Sequence, residues 1–135
     1  MRKRSSRERW VASLLRKNGI HFESEWKFED CKYKTHLRFD FYLPDFKCCI
    51  EYDGVHHYRP ITKWVFNGYP ISVDRAEREF ALIKERDRIK NLYCKNNGIK
   101  LIRLNHYNYQ ALETILKEIK DEKRAENTEK EIKTL

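Results

Sequence analysis

Arg38-Phe39-Asp40-Phe41-Tyr42-Leu43-Pro44 and Ile50-Glu51-Tyr52-Asp53-Gly54-Val55-His56-His57-Tyr58 are the stretches whose reading decides the fold. Each reads as a β-strand. In the first, Phe39, Phe41 and Leu43 alternate with Arg38, Asp40 and Tyr42, the period of two that divides a strand into two faces. In the second, Glu51 and Asp53 share a face, and Ile50 and Tyr52 point the other way. Pro44-Asp45 between them is a turn signal. A loop of Pro44 to Lys47 pairs Leu43 with Cys48 and sets Asp40 opposite Glu51. Asp40, Glu51 and Asp53 then crowd one patch, and their mutual repulsion is costly unless a cation sits among them. A hard divalent ion, magnesium before others, is the economical cation. The bland alternative is an acidic sheet face turned to water. Phe39, Phe41, Cys48, Cys49, Ile50 and Tyr52 argue against it, because they mark central strands.

The chain has 135 residues, which predicts one domain. Aromatic residues at 13% can fill a core, although charged residues reach 37%. The formal net charge is +8, from 29 basic and 21 acidic residues. The excess is uneven. Arg2, Lys3, Arg4, Arg7 and Arg9 face only Glu8 in the first ten positions, whereas basic and acidic residues balance from Lys117 to Leu135. A basic arm near a carboxylate cluster predicts a polyanionic partner, nucleic acid first. No apolar run reaches the length of a membrane span or a signal-peptide core, which predicts a soluble, cytoplasmic protein with no membrane partner. Cys31, Cys48, Cys49 and Cys94 show no C-x-x-C spacing, so they read as reduced thiols and not as a zinc site.

Periodicity and stop signals predict a helix over Ser5 to Asn18 and a strand over Phe22 to Phe28. A turn is expected at Cys31 to Lys34, followed by the hairpin. Tyr58 to Val73 reads as irregular. A long helix from Asp74, its expected N-cap, to Asn96 carries an apolar face of Phe80, Ile83, Leu92 and Tyr93. A strand over Ile99 to Asn105 and a helix from Tyr107 to about Lys120 follow. The fold class is therefore α/β, with a mixed four-stranded sheet flanked by helices in the order α-β-β-β-α-β-α. The long helix acts as a crossover between parallel strands. Residues 1–120 form the domain with its basic arm, and 121–135 are a charged helical extension or tail.

Beyond the hairpin, further groups could carry chemistry. Glu8 lies near the core-facing side of the first helix, yet Ser5-x-x-Glu8 also reads as a capping box. Asp87 falls near the apolar stripe of the long helix. It either pairs with Lys90 or Lys84 within the helix or reaches the sheet as an active-site acid. His56 and His57 follow Gly54 and could move a proton. Trp64 and Phe66 either stack on bases or cap the core from outside.

Phe39-Asp40-Phe41, Ile50-Glu51-Tyr52-Asp53-Gly54 with His57, and Glu85-Arg86-Asp87-Arg88 running through Gly98 into Ile99-Lys100-Leu101-Ile102-Arg103 together resemble the restriction-endonuclease-like, or PD-(D/E)XK, superfamily. The resembling branch is that of the very-short-patch-repair mismatch endonucleases and the related EDxHD homing endonucleases, over about Ser5 to Leu116. The resemblance implies a magnesium-dependent DNA endonuclease, with manganese as a substitute ion, on a restriction-endonuclease-like core. It implies that Glu8 is the first-helix acid, Asp40 the central metal ligand, His57 the histidine after the Asp-Gly turn and Asp87 the later acid. Glu51 takes the acidic position of the wider D…ExK motif. Asp53 stands where that motif has lysine, so the lysine's work falls to His57 or Lys90. Asp40, with Glu51 or Asp53, would hold the ion, and Arg2, Lys3, Arg4, Arg7, Arg9, Trp64 and Phe66 would meet DNA. Val55 and His56 replace the aromatic wedge expected before the histidine, which argues against mismatch specificity. A monomer would nick one strand and a symmetric homodimer would cut both, while long-site specificity would need a separate DNA-recognition partner or a further segment. Rival expectations are an inactive DNA-binding module on a nuclease fold and a junction- or RNA-directed nuclease.

Overall fold

A computed structural model describes residues 5–54 and 72–135. Helix α1 (Ser6–Lys17) is followed by β1 (Glu23–Tyr33), β2 (Thr35–Leu43), β3 (Cys48–Tyr52), helix α2 (Val73–Asn96), β4 (Lys100–Leu104) and helix α3 (Leu112–Lys133). The four strands form one mixed sheet in the order β1-β2-β3-β4. Strands β1, β2 and β3 pair antiparallel, and β4 pairs parallel to β3. The parallel pair brackets α2, as a crossover helix requires.

The sheet lies between two helical layers. On one face α1 and α3 set Val11, Leu15, Leu112 and Leu116 against Phe41, Leu43, Cys48, Ile50 and Leu104. On the other, Cys94 of α2 packs with Phe39, Cys49, Cys31 and Ile99, while Ile89 and Tyr93 cover them. The four cysteines are buried free thiols. No helix among the described residues is long and apolar enough to cross a membrane.

The hairpin forms in the expected register, with Leu43 on Cys48 and Phe41 on Ile50. Its loop is a single 3₁₀ turn, Pro44–Phe46, closed by Lys47 at φ 45. Proline supplies the fixed φ at the first position of that turn.

The expected alternation of β2 needs correction. Phe39 does not share a face with Phe41 and Leu43: it packs under α2, and they pack under α1 and α3. Strand pairing with β1 joins Ser24 to Phe41 and Trp26 to Phe39 but skips Glu25 and Asp40 between them. Glu25 takes a φ of 51, in the left-handed region. A ladder broken at one position on each strand shifts the pleat, and the faces exchange there.

Other boundaries also differ. Strand β1 runs on through Cys31, and the turn is confined to Lys34 at φ 65, between the paired Tyr33 and Thr35. The turn expected at Cys31 to Lys34 gives way because Asp30 accepts a 2.7 Å hydrogen bond from the Tyr93 hydroxyl and Cys31 is buried beneath α2. Ser72, not Asp74, caps α2, its hydroxyl accepting from the Arg75 amide. Leu92 is exposed and does not belong to the buried face. Residues 121–133 continue α3 as helix, with no buried side chain beyond Ile119.

Candidate active site

Among the described residues, the only buried polar or charged side chains are Asp40, Glu51 and Asp53, at 8%, 4% and 6% exposure. A carboxylate rarely enters a core without partners, because losing water costs it several kcal/mol. Three in one small sheet need a physical account.

Asp40 sits where the β2–β3 ladder ends. Phe41 is the last residue of β2 paired with β3 at this end. The Asp40 carboxylate then takes the place of a backbone acceptor: its Oδ2 receives the Tyr52 amide hydrogen at 2.8 Å. Asp40 makes no ion pair among the described residues. Glu51 points to the α2 side of β3, where Lys90 Nζ donates to its Oε1 at 2.9 Å. The same ammonium lies 5.2 Å from the centre of the Phe39 ring. Asp53 shares that side, as the period of two requires, and Arg103 Nη1 meets both its oxygens at 3.0 and 3.3 Å. Arg103 also reaches Asp87 Oδ1 at 3.5 Å and Asn91 Oδ1 at 3.0 Å.

Helix α2 is therefore weakly amphipathic for a reason. The side it turns to the sheet carries Asp87 and Lys90 above Cys94. The two do not form the intrahelical pair considered from their spacing. Each crosses to a different strand, Lys90 to β3 and Asp87 to Arg103 of β4.

Glu51 is pushed up to about 7, first by burial and then by the Asp40 carboxylate, against the pull of Lys90 and Arg103. An unfolded glutamate titrates near its ordinary 4.5. Between these values the folded protein holds a proton that the unfolded chain has released, so stability falls as pH rises through that window. Glu51→Gln removes this dependence. Its stability relative to the parent should rise by about 2 to 3 kcal/mol between pH ~5 and ~8. Urea midpoints at the two pH values measure it, and a constant difference would contradict the assignment.

Arg103 escaped the sequence reading. The signal was present: Leu101 and Arg103 share a face of β4, and Leu101 packs under α2. Parallel pairing then sets Arg103 beside Glu51. Arg103→Leu should cost about 3 kcal/mol, because it removes the guanidinium that joins two carboxylates of low exposure. Arg103→Lys should recover only part, since one ammonium cannot span three partners. Thermal melts of the two variants provide the check.

The remaining residues are placed as follows. Glu8 is half-buried in the first turn of α1, its amide donating to the Ser5 hydroxyl at 3.2 Å, one half of the expected capping box. Arg7 and Arg9 are exposed, and the Arg7 guanidinium lies 5.7 Å over the Tyr52 ring. Arg2, Lys3, Arg4, His56, His57, Trp64 and Phe66 lie outside the described residues. No set of three metal-ligating side chains converges among the described residues. Magnesium does not require one: it takes one or two protein carboxylates and completes its shell with water and phosphate. Asp40 and Glu51 on neighbouring strands fit that demand. The bonds above engage Asp40 Oδ2 and Glu51 Oε1, leaving Oδ1 and Oε2 without a hydrogen bond among the described residues. Asp53 fits less well, since both its oxygens face Arg103.

No model of a known protein family matches the chain, and no curated protein matches it.

Proposed function

We propose that the protein is a magnesium-dependent DNA endonuclease on a restriction-endonuclease-like core. The observation that carries the reading is the pair Asp40 and Glu51, buried on adjacent strands with one lysine between the sheet and α2. Asp40, Glu51, Asp53 and Asp87 outnumber the two cations that meet them, Lys90 and Arg103, and a divalent ion relieves the excess. The order of elements, with a three-stranded antiparallel meander and β4 added parallel to β3, supports the same core.

In this reading Asp40 and Glu51 hold the ion, which supplies charge stabilisation at the scissile phosphate and makes water a stronger acid. Lys90 keeps a fixed positive charge at Glu51 and takes over the work of the motif lysine that Asp53 replaces. Arg103 holds Asp53 and Asp87 in place beside β3. His57 remains the proposed proton-handling residue. Glu8 and Asp87 stand as the outer acids, and the basic arm holds phosphates without reading sequence.

One observation favours a second reading, a DNA-binding module without catalysis. Lys90 on Glu51 and Arg103 on Asp53 neutralise two of the acids with no metal at all. Labelled duplex, junction and RNA oligonucleotides incubated with magnesium, manganese or chelator separate the readings. Cleavage of DNA in either metal and none in chelator is expected. Binding without cleavage supports the second reading, and cleavage restricted to RNA or junctions redirects the first.

A further inference from the structure

A cleft of about 380 Å³ opens beside Asp53 and Gly54, lined also by Arg7, Tyr52, Asn105, His106 and Tyr107. Its volume lies at the low end of the ~300–1,000 Å³ typical of ligand clefts, a space suited to one nucleotide and far too small for a duplex. Tyr107 stands at its edge with 95% of its surface exposed. The loop beneath that ring is held firmly. Asn105 Oδ1 accepts from the Tyr107 and Asn108 amides at 2.8 and 3.0 Å, and Asn108 Oδ1 accepts from the Asn105 amide at 2.7 Å. Asn108 Nδ2 also donates to the Arg103 carbonyl at 3.3 Å, which ties the loop to the strand that carries the Asp53 clamp. The backbone that presents Tyr107 is thus already ordered, so little is lost in fixing it when a flat partner arrives. Across the cleft Arg7 supplies a guanidinium from the first turn of α1, and His106 adds an imidazole on the same loop.

We propose that this cleft receives an unpaired nucleotide of the substrate strand, its base stacked on Tyr107 and its phosphate on Arg7. This inference rests on the nuclease reading and names its substrate class: DNA with a bulged, flapped or otherwise unstacked base beside the cutting position. A base inside an intact duplex has both faces covered by its neighbours, so only an unstacked one offers a face to Tyr107. An aromatic platform beside a cation is the arrangement that binds such a base without regard to its identity. Asp53 lines the cleft and precedes Gly54 at the end of β3, so the bound nucleotide lies next to the acidic cluster and not on a remote face.

The test is fluorescence anisotropy in chelator, which prevents cleavage, with a duplex carrying one bulged thymidine and the fully paired duplex of the same sequence. Tyr107→Ala should weaken binding of the bulged duplex roughly 10- to 100-fold, the worth of one base–aromatic stack, and leave the paired duplex within about twofold. Tyr107→Phe keeps the ring and should match the parent. Arg7→Gln should weaken both duplexes and lower the salt slope by about one. Equal loss on the two duplexes in Tyr107→Ala, no loss in Tyr107→Ala, or loss in Tyr107→Phe overturns the inference. Because Tyr107 is nearly fully exposed, these variants leave the core intact. A parallel cleavage assay in magnesium keeps the two claims apart. Cleavage together with an unaltered Tyr107→Ala overturns this inference alone. The expected binding pattern in a protein that never cleaves supports the cleft and overturns the nuclease reading.

Discussion

Asp40→Asn should lower magnesium-dependent cleavage by ~10³-fold or more while the fold is kept. Charge stabilisation by a bound ion is worth several kcal/mol, and each ~1.4 kcal/mol is a decade in rate. The fold survives because the structural duty of Asp40 is to accept the Tyr52 amide hydrogen, at 2.8 Å, and an asparagine carbonyl oxygen can do the same. The substitution also removes one negative charge beside the buried Glu51. Glu51 then loses the neighbour that ranks second in raising its pKa, and the metal-free protein should be as stable as the parent or more so. Melting temperature, magnesium affinity and turnover measured on one preparation separate these effects. Full activity in Asp40→Asn would remove the ground for a metal site.

Lys90→Met should lower turnover by ~10²–10³-fold, the usual cost of deleting one preorganised charge from a reacting site. Lys90 has 12% and Glu51 6% of side-chain surface exposed, so their 2.9 Å pair is largely out of water. Methionine keeps the chain length and removes the charge, which leaves Glu51 beside Asp40 with its nearest cation gone. Glu51 should then hold its proton at neutral pH, because the two contributions of Lys90 that lower its pKa disappear. The residual activity should therefore rise more steeply with pH than that of the parent. A purely structural lysine would lower stability but leave the shape of that profile unchanged. Lys90→Arg retains the charge and should restore much of the activity with a normal profile.

The layout of the site was largely legible, because it depends on period-two alternation and one short turn. Pro44-Asp45 fixed the hairpin, the hairpin fixed Asp40 across from the end of β3, and alternation set Glu51 and Asp53 on one face. The cations were harder to read. Lys90 and Asp87 lie three residues apart on one helix, a spacing that also suits an ion pair along the helix. Only the packing of α2 on the sheet separates the two outcomes. Arg103 was not singled out, because parallel pairing of β4 with β3 does not by itself fix the register that sets it beside Glu51. The exchange of faces between Phe39 and Phe41 could not be read from β2 alone. It arises from a ladder break that involves Glu25 on the neighbouring strand, and alternation assumes an unbroken ladder. Ser72 and Asp74 both suit a helix N-terminus by type, and the backbone selected the earlier one.

The central claim is that this chain cuts DNA with a divalent ion held at Asp40 and Glu51. Incubation of the purified protein with supercoiled plasmid, with and without magnesium, tests it most directly when a gel shift confirms that the DNA is bound. Relaxed or linear plasmid is expected in magnesium and intact supercoils in its absence. Supercoils that stay intact in both, on DNA that the protein demonstrably binds, would contradict it.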